Sequence, residues 1–386
     1  MVTILIALTS DLTEAEWNTF LTTVQQATHT LDPETNLTIW ELGLKKHHEL
    51  GVQMHGGNPL FGYAHRMFLR WFEEKLQALN PNFAFFYWDT GKEFSTWSKS
   101  KIWNYMGTQQ GRVRIPAFNG TRFSYLNNAQ LERRCDTSKN PPPSEYYFEL
   151  WTRSKDKGYS DYCKQLEYAH GVMHNLVGGQ LSRLQTSPLD PIFYAHHSNV
   201  DYTLLKAQLL WASDSYPLEK SYGPDLTLNT TIPGFPGTQV GNVIDVADIC
   251  VRYVPSKTTS VPPINNTTGT NTTGTNTTGT NVTNSTLVPT VDVKNFTLDL
   301  SDEWLQSSFR NNSAAIRNEA QGIQESLNDK VDRGETIITR IVSDDESRSY
   351  LGVKAEGVKN IKRMQNTGSS SFQFGFTTFL FLMMLL

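Results

Sequence analysis

A chain of 386 residues with a net charge of −4 and a pI near 6.2 is long enough to bury a sizeable core, and no block of basic residues interleaved with aromatics runs along it. It offers no electrostatic footprint for a phosphate backbone, so nucleic acid is not an expected partner. Three cysteines, Cys135, Cys163 and Cys250, lack C-x-x-C spacing, which excludes a zinc ribbon and a thioredoxin-like motif and allows one disulfide of unreadable pairing plus one free thiol.

Met1 to Ser10 (MVTILIALTS) is apolar but has no basic leader and no small-residue cleavage site, so it is a poor signal peptide. It reads equally well as a strand, or the chain starts downstream of its true signal. Ser10 then serves as the predicted N-cap of a helix with Leu12, Trp17, Phe20, Leu21 and Val24 at helical spacing and acids in its first turn. Residues 37–50 and 64–79 predict two more helices, joined by a Gly-Gly-Asn-Pro loop, and Asn80-Pro81 ends the second. From Gly91 to about residue 158 the chain reads as loops and short strand-like pieces around Pro141 to Pro143. Helical periodicity returns over 160–177 and 192–213.

Aromatics concentrate before residue 255, which assigns 1–255 to the globular domain. Residues 256–289 hold the repeat NTTGT with a period of five; such a tract cannot bury a core and reads as a glycosylated linker. Residues 290–365 are polar and partly helical, either a stalk or a cover that shields a site until processed. Within 366–386, the apolar end Phe372 to Leu386 is shorter than a spanning helix and follows the small residues Gly368 to Ser371, the order of a lipid-anchor signal. Eleven N-x-S/T sequons, six of them inside 265–286, point to glycosylation and a secreted or cell-surface location.

Eight of the nine histidines fall in two clusters: His47, His48, His55 and His65, then His170, His174, His196 and His197. A lone helical histidine is ordinarily surface or satisfied core, the reading given to His29. Clusters differ. His170 and His174 are four apart, on one helical face, within reach of a single metal. The intervening HGVMH lacks the Glu of a zinc-protease helix. His197 completes one set of three imidazoles, and His47 or His48 with His55 and His65 forms another. Two such sets without a carboxylate point to a pair of coppers, because hydrolases of hard metals bring Asp or Glu and iron oxygenases bring a two-histidine, one-carboxylate triad.

These residues resemble the type 3 copper proteins, the tyrosinases, catechol oxidases and molluscan haemocyanins, over roughly residues 10–254. PLFGYAHRMFLRWFEEKL (59–76), FYWDT (86–90), LEYAHGVMHNLVGGQL (166–181) and DPIFYAHHSNVDY (190–202) appear in the family's order. The resemblance implies a mainly α fold in which a four-helix bundle encloses a dinuclear copper site among long loops and few short strands. It implies His47, His55 and His65 as ligands of copper A, with His48 an alternative to His47, and His170, His174 and His197 as ligands of copper B. His196 then lies just behind the ligands, and Asp201 is a structural acid whose expected partner is Arg66, since a buried charge requires compensation. Gly171, Leu184 and Phe193 match positions lining the substrate pocket, and Tyr253 matches the motif that closes the domain.

The sequence also departs from the family. His47 and His55 are only eight apart, Gln53 stands where fungal and molluscan members carry the cysteine of a thioether crosslink, and Gly62-Tyr63-Ala64 replaces Leu-Pro-Trp. The implied activity uses dioxygen to oxidise o-diphenols to o-quinones. Hydroxylation of monophenols is less expected, because Gly171 replaces an Asn that orients a proton-accepting water in strongly hydroxylating members. Leu184, aliphatic at the family's gate position, implies a site open to small phenols. Two rivals remain: a dioxygen carrier, and a degenerate domain acting as a surface or wall adhesion module.

Overall fold

The computed structural model describes residues 4–118, 120–154, 157–213, 226–254, 296–309 and 313–333. Capping chemistry decides where its first helices start. Helix α1 (Glu14–Ala27) begins at Thr13, whose hydroxyl accepts from Glu16 N–H while the Glu16 carboxylate takes Thr13 N–H at 2.7 Å. This reciprocal pair satisfies two otherwise orphaned donors, so it displaces the expected cap Ser10 into a short 3-10 turn over Thr9–Asp11. Thr38 and Glu41 repeat the device at α2 (Ile39–Met54), which runs beyond the expected end at 50, and α3 (Phe61–Gln77) starts before the expected 64.

The stretch predicted as loops carries the short α4 (Ile102–Met106), the antiparallel strands β2 (Gln110–Arg112) and β3 (Glu132–Arg134), and an eleven-residue helix α5 (Ser144–Ser154) that the sequence reading did not find. Helices α6 (Tyr159–Val177) and α7 (Ile192–Ser213) follow as expected. Helix α3 packs on α2, α6 and α7, and α6 packs on α7, which makes the mainly α four-helix bundle. Near the N-terminus Ile4–Ile6 (β1) pairs in parallel with Val251–Tyr253 (β4), so part of Met1 to Ser10 is a strand.

Two buried ion pairs lock the bundle. Arg66 Nε donates to Asp201 Oδ1 at 2.6 Å, while Tyr253 Oη donates to Asp201 Oδ2 at 2.7 Å. Arg133 grips Asp190 in a fork of 2.6 and 2.7 Å and donates to the carbonyls of Met106 and Thr108, so neither buried charge lacks a partner. Asp190 also accepts Ile192 N–H at 3.0 Å, which fixes the start of α7. All three cysteines are free, so the disulfide that the count allows does not form.

The globular part does not end at 255. Helices α8 (Asp302–Phe309) and α9 (Ser313–Asp332) belong to the compact unit Met1–Arg340, with α9 packed on α5 and α6. Tyr168 Oη donates to Leu298 O at 2.9 Å and Ser301 N–H donates to Asn175 Oδ1 at 3.2 Å, which ties the segment before α8 to α6. The expected linker at 256–289 and anchor signal at 366–386 lie outside the described residues. Among the described residues no helix is long and apolar enough to cross a membrane.

Candidate metal centre

The bundle helices turn their histidines inward. His47 lies on the buried side of α2, His55 at that helix's C-terminal cap in extended backbone, and His65 in the second turn of α3. His170 and His174 are one turn apart on α6, and His197 is on α7. His47, His55 and His65 form one group of ring nitrogens lying within 4.8 Å of one another, and His170, His174 and His197 form a second. The groups adjoin, with the rings of His65 and His197 stacked at 4.5 Å.

Hydrogen bonds at Nδ1 decide which nitrogen is free in four of the six rings, those of His55, His65, His170 and His174. A backbone carbonyl only accepts, so it holds a proton on the nitrogen facing it. His65 Nδ1 donates to Phe61 O and His174 Nδ1 to Leu181 O, both at 2.8 Å, and His170 Nδ1 donates to Glu167 O. Lone pairs are then left on the opposite nitrogens. Nε2 of His47, His55, His65 and His170 are buried without a hydrogen-bond partner, and Nε2 of His174 and His197 face each other at 3.1 Å. Six imidazoles converging in a buried space, four of them with an Nε2 that meets no partner, call for a cation, since buried unpaired polar atoms are costly. Burial also pulls every one of these imidazoles below its ordinary pKa, His55 to about 3. They stay neutral, the form that binds a metal. An all-imidazole donor set without a carboxylate fits two copper ions.

Glu167, inside the LEYAHGVMHNLVGGQL stretch, is a further residue of the site that the histidine pattern does not point to. Its carboxylate is buried and accepts Gly56 N–H at 2.9 Å, Gly57 N–H at 2.8 Å and His55 Nδ1 at 3.1 Å. Burial pushes its carboxyl well above the usual range, against the pull of the two backbone donors. One residue thus serves both groups, through its side chain to His55 and its carbonyl to His170. The signal was available: an acid three residues before His170 on a helix turned to the core.

The remaining predicted residues sort clearly. His48 is exposed and meets Tyr125 Oη at 3.0 Å, away from both groups. His29 is exposed against Gln25 O. His196 Nε2 donates to His170 O at 3.0 Å, tying α7 to α6 behind the site. Phe193 stacks on His197 at 4.0 Å and meets His47 edge-on at 5.1 Å. Leu184 is buried, and a Cβ on Gly51 would sit 3.6 Å from its side chain.

Among the described residues the expected opening to phenols is closed. None of the six histidines is more than 4% exposed. Trp304 of α8 lies over them, its indole 4.6 Å from the His174 ring and 5.7 Å from that of His170. A Cβ on Gly171 would overlap the indole nitrogen, so the glycine is needed to admit this ring. The space over Gly171 is filled by a side chain from beyond residue 290.

The common central domain of tyrosinase matches residues 16–207. Haemocyanin A-type, units Ode to Odg, of Enteroctopus dofleini is 27% identical over 187 residues, covering 43% of this chain and 14% of that protein. A tyrosinase-like protein of Pinctada maxima is 26% identical over 176 residues, covering 38% of each. The chain thus spans well under half the length of either relative. A functional unit of octopus haemocyanin overlays with a TM-score of 0.46 at 15% identity, covering 65% of this chain and 68% of that one.

Proposed function

This chain belongs to the type 3 copper proteins, and from that premise we propose that it oxidises o-diphenols to o-quinones with dioxygen at a copper pair held by His47, His55 and His65 on one side and His170, His174 and His197 on the other. The observation that carries this reading is the convergence of six buried, neutral imidazoles, four of them with an Nε2 that meets no hydrogen-bond partner. When bound, a copper pair would pass to dioxygen the electrons taken from the substrate, four electrons and four protons from two diphenols, so that two quinones and two waters result. The chain's own residues do the rest. Phe193 and the bundle exclude water, Glu167 holds the His55 tautomer, and the His174 face covered by Trp304 is where an aromatic ring of a substrate would lie. A phenol therefore enters when Trp304 withdraws.

The covered site favours a second reading, reversible dioxygen binding, because dioxygen passes where a phenol does not. The two separate in one assay on copper-loaded protein. The oxidase forms quinone from catechol, faster once the pocket is opened. A carrier shows a near-ultraviolet band that disappears when oxygen is removed and returns with it, and forms no quinone even with the pocket open. We propose a secreted or cell-surface location on the density of sequons in 265–286.

A further inference from the structure

Helix α6 ends at Val177, and the turn that follows is fastened to strand β3. Gly178 and Gly179 have φ of 66° and 61°, and a Cβ on either would overlap a backbone carbonyl, Arg134 O or Glu132 O, so only glycine lets the chain pass this close. Gln180 then pins the turn with its side-chain amide. Its Oε1 accepts Glu132 N–H at 2.6 Å and its Nε2 donates to Gln130 O at 3.1 Å. The Gln180 carbonyl accepts Thr186 Oγ1 at 2.8 Å, which closes the turn on itself. Glu132 adjoins Arg133, whose fork on Asp190 is buried, so the support under the turn is itself fixed.

Two carbonyls of this turn face one histidine of each group. Leu181 O accepts from His174 Nδ1 at 2.8 Å. Leu184 packs against the turn of α2 that follows His47, its side chain 3.6 Å from where a Cβ on Gly51 would lie. Burial and the imidazoles of His65, His55 and His174 pull His47 well below its ordinary pKa, and Leu184 O opposes them as a hydrogen-bond acceptor. That contact is looser than the one at His174, since neither nitrogen of His47 has a partner at full hydrogen-bond geometry. We infer that Gln180 is a positioning residue for both metals at once: by pinning the turn to β3 it aims the carbonyls of Leu181 and Leu184, which set the tautomers of His174 and His47. A carbonyl that drifts lets the ring proton move to the nitrogen a metal needs. One amide outside both groups thus couples them, whereas Glu167 reaches its two histidines directly. This role stands on the copper reading of the six histidines and is independent of the oxidase reading.

The test uses the full chain and two readouts. In metal-free protein with isotope-labelled histidine, the ring-nitrogen shifts report each tautomer, and Gln180→Ala is expected to turn His174 and His47 from one tautomer into a mixture while His55 and His65 stay as they are. In copper-loaded protein titrated with a cuprous chelator, both coppers are expected to be held about tenfold more weakly, the lower end of the cost of removing an outer partner of a ligating histidine. A merely structural role lowers the melting temperature and moves neither ring. Unchanged tautomers, or weakening of one copper alone, overturns the inference. Should Gln180→Ala not fold, Thr186→Val removes the hydroxyl that holds the Gln180 carbonyl and is expected to move the same two rings; if it moves neither, the inference falls. If the parent chain takes up no copper, the copper reading fails, and the tautomers still decide the role of Gln180.

Discussion

Trp304→Ala is expected to raise the rate of catechol oxidation by roughly tenfold or more while copper stays at two per chain. The indole occupies the face of His174 and the space above Gly171, so any phenol reaching that face must first displace it. Displacement exposes a side chain now 1% exposed, and truncating a buried Trp costs about 3–5 kcal/mol. If even half of that weights the closed state, the open form is populated to about 10% or less, and the apparent affinity for substrate falls in proportion. The alanine variant leaves a ring-shaped void that a catechol fills. It also loses stability, seen as a lower melting temperature. An unchanged rate with both coppers bound would mean that substrate enters on another side, past Leu184 and Gly51.

Glu167→Gln is expected to weaken the copper held by His47, His55 and His65 by about 10–100-fold, the usual cost of removing a partner behind a metal-ligating histidine. The carboxylate now offers oxygens to three donors, two backbone N–H groups and His55 Nδ1. An amide offers one oxygen and presents N–H to the other side, so either the Gly56-Gly57 turn or the His55 tautomer loses its acceptor. Dialysis against a chelator should leave the variant with one copper while the parent keeps two. Retention of both would mean that the turn, and not Glu167, fixes His55.

The spacing of histidines in the sequence was enough to assemble both groups, because the ligands sit on long helices whose periodicity is legible and whose motifs are local. The ambiguity between His47 and His48 was resolved by burial, which depends on how α2 meets Tyr125 and is not written in a run of two histidines. The cap at Thr13 was missed although Thr-x-x-Glu was visible, since Ser10 is an equally good cap by residue type. Trp304 could not have been found. It lies 133 residues after Gly171, beyond a tract of repeats, and only the folded chain brings the two together. Gly171 was read for what it lacks, an Asn, when its smallness is what the structure uses.

The most direct measurement is copper per chain on purified, copper-reconstituted protein, with absorption spectra recorded before and after hydrogen peroxide. Two coppers and a new near-ultraviolet band are the expected result. One copper or none, without a band, would contradict a dinuclear centre built from these six histidines.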